Sequence, residues 1–201
     1  MTRPSSKRFS ACRKLVHDDA FEGQLAMHIV TPLLGKAMKE LKPDYYSCGI
    51  FLRRPLMRYL GIALYRLLDT PQRGRTGETA SISSLLEMAK SDRVLDNDQI
   101  RRFTSDFDKI KAEAAQGEYD IVKKLRELQN IQLAHSLIPW QDPEGDVWGH
   151  HLVDLAEAIF NLVMKVDTAI AEATGITLAN SRKSAHEFET SASRFWQALA
   201  Q

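Results

Sequence analysis

The chain has 201 residues, 44% of them hydrophobic and 26% charged, which is enough to bury one substantial core and too apolar for a disordered polymer. Lysine and arginine number 27 against 26 aspartate and glutamate, so no overall basic field draws the chain to nucleic acid or a membrane surface, and any such attraction must be local. Cys12 and Cys48 supply neither a disulfide framework nor metal-ligand spacing; with no apolar stretch behind the basic start MTRPSSKRFSACRK, they point to a soluble cytoplasmic protein with reduced thiols.

Apolar residues recur at three and four positions along nearly the whole chain, and no stretch alternates over a strand's length, which predicts an all-α fold. A first helix is expected from about Ser10 to Leu41, kinked or broken at Thr31 and Pro32 and closed by Lys42, Pro43 and Asp44. A second spans about Gly49 to Asp69, with Leu52, Leu56, Leu60, Ala63, Leu64 and Leu67 on one face and Ile62 and Tyr65 broadening it. So wide an apolar surface suits the centre of a bundle. TPQRGRTGETA, Thr70 to Ala80, reads as an exposed loop carrying Arg73 and Arg75.

A short helix follows at about Ser81 to Lys90, with Ser84 and Glu87 at capping-box spacing in its first turn. Another starts near the capping Asp96 and runs through Phe103, Phe107 and Ile110 to Gly117; a fifth covers Tyr119 to His135, before a loop with Pro139, Pro143 and Gly145. The clearest pattern lies between Asp146 and Ala173, where Leu152, Leu155, Ile159, Leu162, Val166 and Ile170 form an amphipathic stripe, with Gly175 as the C-cap. A weaker helix from about Ser181 to Ala200 carries Phe188, Phe195 and Trp196. No apolar run approaches the roughly 20 residues that span a bilayer.

Several chemistries lack their residues. There is no Glu-x-x-His pair for a carboxylate-bridged di-iron bundle, no His-Glu-x-x-His, no phosphate loop and no nucleophile elbow. His151 and Asp154 are spaced to share a metal ion with His135 or His28 completing it, but they read first as a helix-start histidine and a solvated aspartate. No cofactor is expected. Two basic clusters, Arg3, Lys7, Arg8, Arg13 and Lys14 in the first helix and Arg53, Arg54, Arg58 and Arg66 in the second, read as solvated faces or a local groove for RNA.

The stretch LRELQNIQLAHSLIPW, from Leu125 to Trp140, ends a helix on His135 and Ser136. At about 100° per residue, Leu128, Ile131 and Gln132 share the face of His135 and Arg126 falls nearly opposite. If the last turn tightens, Asn130, Gln132, His135 and Ser136 make a polar corner. A histidine there also suits plain helix termination, because its cation is stabilised by the dipole by roughly 0.3–1 kcal/mol.

LRELQNIQLAHS resembles the signature of the HEPN superfamily, in which an arginine, four to six residues and a histidine end a bundle helix. The closer similarity is to its AbiU-type abortive-infection branch, through Leu128, Gln129, Asn130, Ala134, His135 and Ser136, and through LGIALYRLLDT with Arg66, Leu67 and Asp69 ahead of SISSLLEMA. The similarity covers about Tyr45 to Ile170. It implies a single all-α bundle of six to seven helices, with a core over about 10–175 and a C-terminal helix over 181–200.

It also implies a homodimer of phage-defence or toxin–antitoxin type, acting on RNA or a nucleotide, with a possible cognate antitoxin and no membrane association. Members with the full motif are metal-independent ribonucleases. By that resemblance His135 is the acid/base, Asn130 and Ser136 support it, and Gln129 occupies the arginine slot. A neutral amide there cannot do the work of a charged, forked guanidinium, so Arg126, Arg73 and Arg75 are the substitute phosphate ligands. The alternative implied is a non-catalytic HEPN-like dimer whose Gln129, Asn130 and His135 bind a nucleotide or a partner protein.

Overall fold

The computed structural model describes residues 6–34, 43–69, 80–116, 120–134 and 145–178, with 190, 193–194 and 196–197; at 43–48, 50, 54, 128–134 and 145–148 it describes backbone alone. Six α-helices occupy these residues: α1 Lys7–Val30, α2 Pro43–Leu68, α3 Ile82–Ser91, α4 Asn97–Gln116, α5 Ile121–Ala134 and α6 Gly145–Thr174, with one 3₁₀ turn at Thr31–Leu33. No strand occurs among the described residues, so the chain is an all-α helical bundle.

Four of the described helix starts carry a side-chain cap. Ser6 caps α1, its Oγ accepting from the Phe9 amide at 3.1 Å, so the helix begins a turn before the expected Ser10. Thr31 and Pro32 end α1 as expected, and the Thr31 hydroxyl turns back onto the Met27 carbonyl at 2.7 Å. The predicted continuation to Leu41 lies outside the described residues. Pro43 does not close a helix but opens α2, where a missing amide hydrogen is no loss because first-turn donors have no helical acceptor.

Ser81, rather than the predicted pair Ser84 and Glu87, caps α3: its Oγ accepts from the Ser84 amide at 3.2 Å, while Glu87 is exposed. At α4 the expected Asp96 cap is reciprocal, since Gln99 N–H donates to Asp96 Oδ1 at 2.7 Å and Asp96 N–H to Gln99 Oε1 at 3.1 Å. Asp120 caps α5 through the Lys123 amide at 2.8 Å. Gly175 closes α6 at φ 72°, its amide donating to the Ala171 carbonyl at 2.8 Å, as the sequence predicts.

The core gathers around α1, which packs against α2, α3 and α6. All six residues of the predicted α6 stripe are buried, together with Leu60, Ala63, Leu64 and Leu67 of α2. Each such leucine or isoleucine contributes about 1.5–3 kcal/mol relative to exposure. The α2 surface departs from expectation at its start: Leu52 is exposed and Leu56 only partly buried, while Met57 and Leu68 enter the core. Of the expected C-terminal helix, Thr190, Ser193, Arg194, Trp196 and Gln197 are helical and Trp196 is buried; Phe188 and Phe195 lie outside the described residues.

Two backbone positions test this packing. A Cβ on Gly23 of α1 would lie 2.5 Å from Cζ of Phe160, a buried ring of α6 with no room to retreat. Gly23→Ala should therefore destabilise by about 1–3 kcal/mol in urea unfolding. Arg93 holds the left-handed conformation at φ 54° in the turn after α3, where its amide reaches the Lys90 carbonyl and that of Val94 the Ala89 carbonyl. Glycine suits that C-cap geometry better, so Arg93→Gly should raise stability by about 1 kcal/mol, a melting rise of about 2–4 °C.

Candidate functional site

α5 is held at its N-terminal half. Ile121 and Leu125 are buried, and Leu125 sits 3.5 Å from the position a Cβ would take on Gly61 of α2. The solvent side carries Arg126 and Glu127, both exposed, with Lys123 Nζ 3.9 Å from Glu127 Oε1. The described helix runs through Ala134, and the expected end at His135 lies outside the described residues. The backbones of Gln129 and Asn130 belong to α5, and their side chains lie outside the described residues, as do His135, Ser136, Arg73 and Arg75 altogether. Of the predicted site side chains the structure therefore places Arg126, as an exposed cation two turns before Ala134.

His151 and Asp154 of α6 are exposed and border one cavity of about 200 Å³ with Glu113 of α4, floored by Ile110, Ala114, Ile121 and Leu155. Among the described residues no three histidine, cysteine or acidic side chains are arranged to hold a metal ion, and His28 on α1 does not join this pair.

Of the basic cluster expected on the first helix, Lys7, Arg8 and Lys14 are exposed, Arg3 lies outside the described residues, and Arg13 departs from the surface. Arg13 is 4% exposed, because it lies in phase with Phe9, Val16 and Ala20 on the buried side of α1. Its Nε donates to Asp167 Oδ1 of α6 at 2.6 Å, one terminal nitrogen to the Ile176 carbonyl at 2.9 Å and the other to the Asp167 carbonyl at 3.4 Å. One turn on, His17 is buried with Nδ1 3.6 Å from Asp167 Oδ2, too far for a hydrogen bond. Sequence reasoning missed this cluster. Its signal was a cation and an anion each in phase with an apolar stripe, Arg13 on α1 and Asp167 between Val166 and Ala169 on α6.

A second group lies across the outer α1–α2 face. Arg66 donates to Asp19 Oδ1 at 3.0 Å, and the Tyr59 hydroxyl donates to Glu22. Burial raises the Asp19 carboxyl above its usual range, with Arg66 opposing and Glu22 and Asp18 adding to the rise. Burial, then the Glu22 carboxylate, pushes the Tyr59 phenol up to about 12. Burial likewise raises the Cys12 thiol, which keeps it protonated. No helix among the described residues is long and apolar enough to cross a membrane. Comparison with protein-family models, with curated proteins and with solved structures finds no match for this chain.

Removing one partner of a buried ion pair leaves the other charge uncompensated, so Asp167→Ala should cost about 3–5 kcal/mol in urea unfolding, several times the effect of the surface change Lys123→Ala. Because the fold keeps the Tyr59 phenol protonated beyond its ordinary value of 10, stability should fall as pH rises from about 10 to about 12. Tyr59→Phe should lose less over that window, measured as the shift in urea midpoint between the two pH values.

Proposed function

We infer that the chain is an HEPN-like homodimeric protein of phage-defence or toxin–antitoxin type that cuts RNA without a metal ion, with the end of α5 as its working site. The observation that carries this reading is the setting of the helix from which LRELQNIQLAHS continues: it is capped by Asp120 and anchored in the bundle through Ile121 and Leu125.

The chemistry follows from the residue types. His135, whose ordinary pKa lies near neutrality, takes the proton of an RNA 2′-hydroxyl as it attacks the adjacent phosphate; the P–O5′ bond breaks, leaving a 2′,3′-cyclic phosphate, and the departing 5′-oxygen takes its proton from water. Asn130 and Ser136 orient the imidazole or the ribose by hydrogen bonds. Gln129 donates to the phosphate without charge, so the positive charge that the developing phosphorane needs comes from the loop arginines Arg73 and Arg75, or from Arg126 only where the helix departs from regular geometry before His135.

A second reading has one specific feature in its favour. The neutral Gln129 at the arginine slot of the motif suits a domain that binds a nucleotide or a cognate partner such as an antitoxin and cuts nothing.

Expression in a host separates the two. For the ribonuclease, wild type arrests growth, His135→Ala relieves the arrest, and Arg73→Ala with Arg75→Ala lowers the cleavage rate by about two orders of magnitude. Equal tolerance of wild type and His135→Ala leaves the binding-domain reading in its place.

A further inference from the structure

α4 gives only part of its surface to the bundle. Phe103 and Phe107 enter the core, whereas Asn97, Arg101, Thr104, Ser105 and Asp108 are exposed and recur at three- and four-residue spacing, which makes one polar ridge about three turns long. Lys90, in the last turn of α3, lines the same open groove of about 790 Å³, with half-buried Ile100 as its apolar wall. That volume falls within the roughly 300–1,000 Å³ of small-molecule sites.

The charges decide what enters. Those of the lining are Lys90 and Arg101 against Asp108, and the neighbouring charges are engaged elsewhere. Asp92 accepts from the Ser6 amide at 2.9 Å and Asp96 from the Gln99 amide at 2.7 Å, while Arg102 lies over the Phe103 ring and Lys111 over the Phe107 ring. Asp98 sits 3.6 Å from Arg101, but the two side chains are 89% and 80% exposed, so water screens the pair and a stronger anion displaces it.

We propose that this groove binds a small phosphorylated sugar. Lys90 and Arg101 come from different helices, and together they balance the dianion of a phosphate monoester, where a carboxylate would balance one of them. The Asn97 amide and the Thr104 and Ser105 hydroxyls are neutral donors for the remaining phosphate oxygens. Asp108 follows Arg101 by two turns, about 10 Å along the axis, and a carboxylate accepts hydrogen bonds only. It therefore repels the phosphate and takes the sugar hydroxyls.

A nucleotide would need a wall on which to stack its base. Both aromatic rings of α4 are buried, and among the described lining residues Ile100 is the only apolar one, so the groove offers a base no platform. It shares no residue with the motif at the end of α5, and ligand binding here and RNA cleavage there can each fail without the other.

Titration of the ¹⁵N-labelled full chain with ribose 5-phosphate, followed through its amide chemical shifts, tests the proposal. Binding should saturate with a dissociation constant of about 0.1–1 mM, weak because the groove is open, and it should weaken as salt is added. The largest shifts should fall at residues 90 and 97–108. Arg101→Ala should raise the constant at least about tenfold; Asp108→Ala should raise it about fivefold and leave inorganic phosphate bound no more weakly. Ribose should not bind, and adenosine monophosphate should bind no tighter than ribose 5-phosphate. Inorganic phosphate that binds wild type as tightly as the sugar phosphate marks an adventitious ion only and overturns the proposal. Tighter binding of adenosine monophosphate, an unchanged constant in Arg101→Ala, or no shifts at these residues overturns it as well.

Discussion

The Arg13 guanidinium ties the first long helix to the last. It is buried between α1 and the C-terminal turn of α6, and its three contacts go to the Asp167 carboxylate, the Asp167 carbonyl and the Ile176 carbonyl. A buried pair of this kind contributes little net stability over a well-packed apolar substitute, since the desolvation of both ions offsets their attraction. Its effect is on register. With Arg13 on Asp167, α1 has one rotation about its axis, which lays Gly23 against Phe160 and turns Asp19 and Glu22 outward to Arg66 and Tyr59 of α2. The orientation of α2 is thus set from α1, and α5 is set from α2 through Leu125 beside Gly61.

That chain of contacts bears on the proposed site. A catalytic imidazole needs a fixed approach to its substrate, and the described half of α5 is fixed: capped by Asp120, buried at Ile121 and Leu125, and packed against α2, α4 and α6. The residues proposed for chemistry follow toward the other end of the helix. Arg126 shows the division, since it is exposed one position after the buried Leu125.

Helix existence and the buried stripe of α6 were legible because both rest on three- and four-residue periodicity and local capping chemistry. The Asp96 cap, the break at Thr31–Pro32 and the Gly175 terminus were read correctly for the same reason. What local pattern could not decide was tertiary. Pro43 has the same residue chemistry whether it ends one helix or belongs to the next, and Leu52 fits the apolar face of α2 although it is exposed. Arg13 and Lys14 are adjacent cations, yet one is buried opposite Asp167 and the other is exposed beside Asp18, a difference that depends on a residue more than 150 positions away. For the candidate site, the sequence located α5 itself, whose described residues run from Ile121 to Ala134. The motif itself carries the roles of His135, Asn130 and Gln129, through a resemblance rather than through geometry.

The most direct test of the central claim is cleavage of a mixed pool of structured and single-stranded RNA, in EDTA, by purified wild type and His135→Ala side by side. The account predicts that wild type cuts and that His135→Ala is slower by roughly 10²–10⁴-fold with its fold intact. Wild-type protein that leaves the pool uncut, or a His135→Ala variant that cuts as fast as wild type, would contradict it.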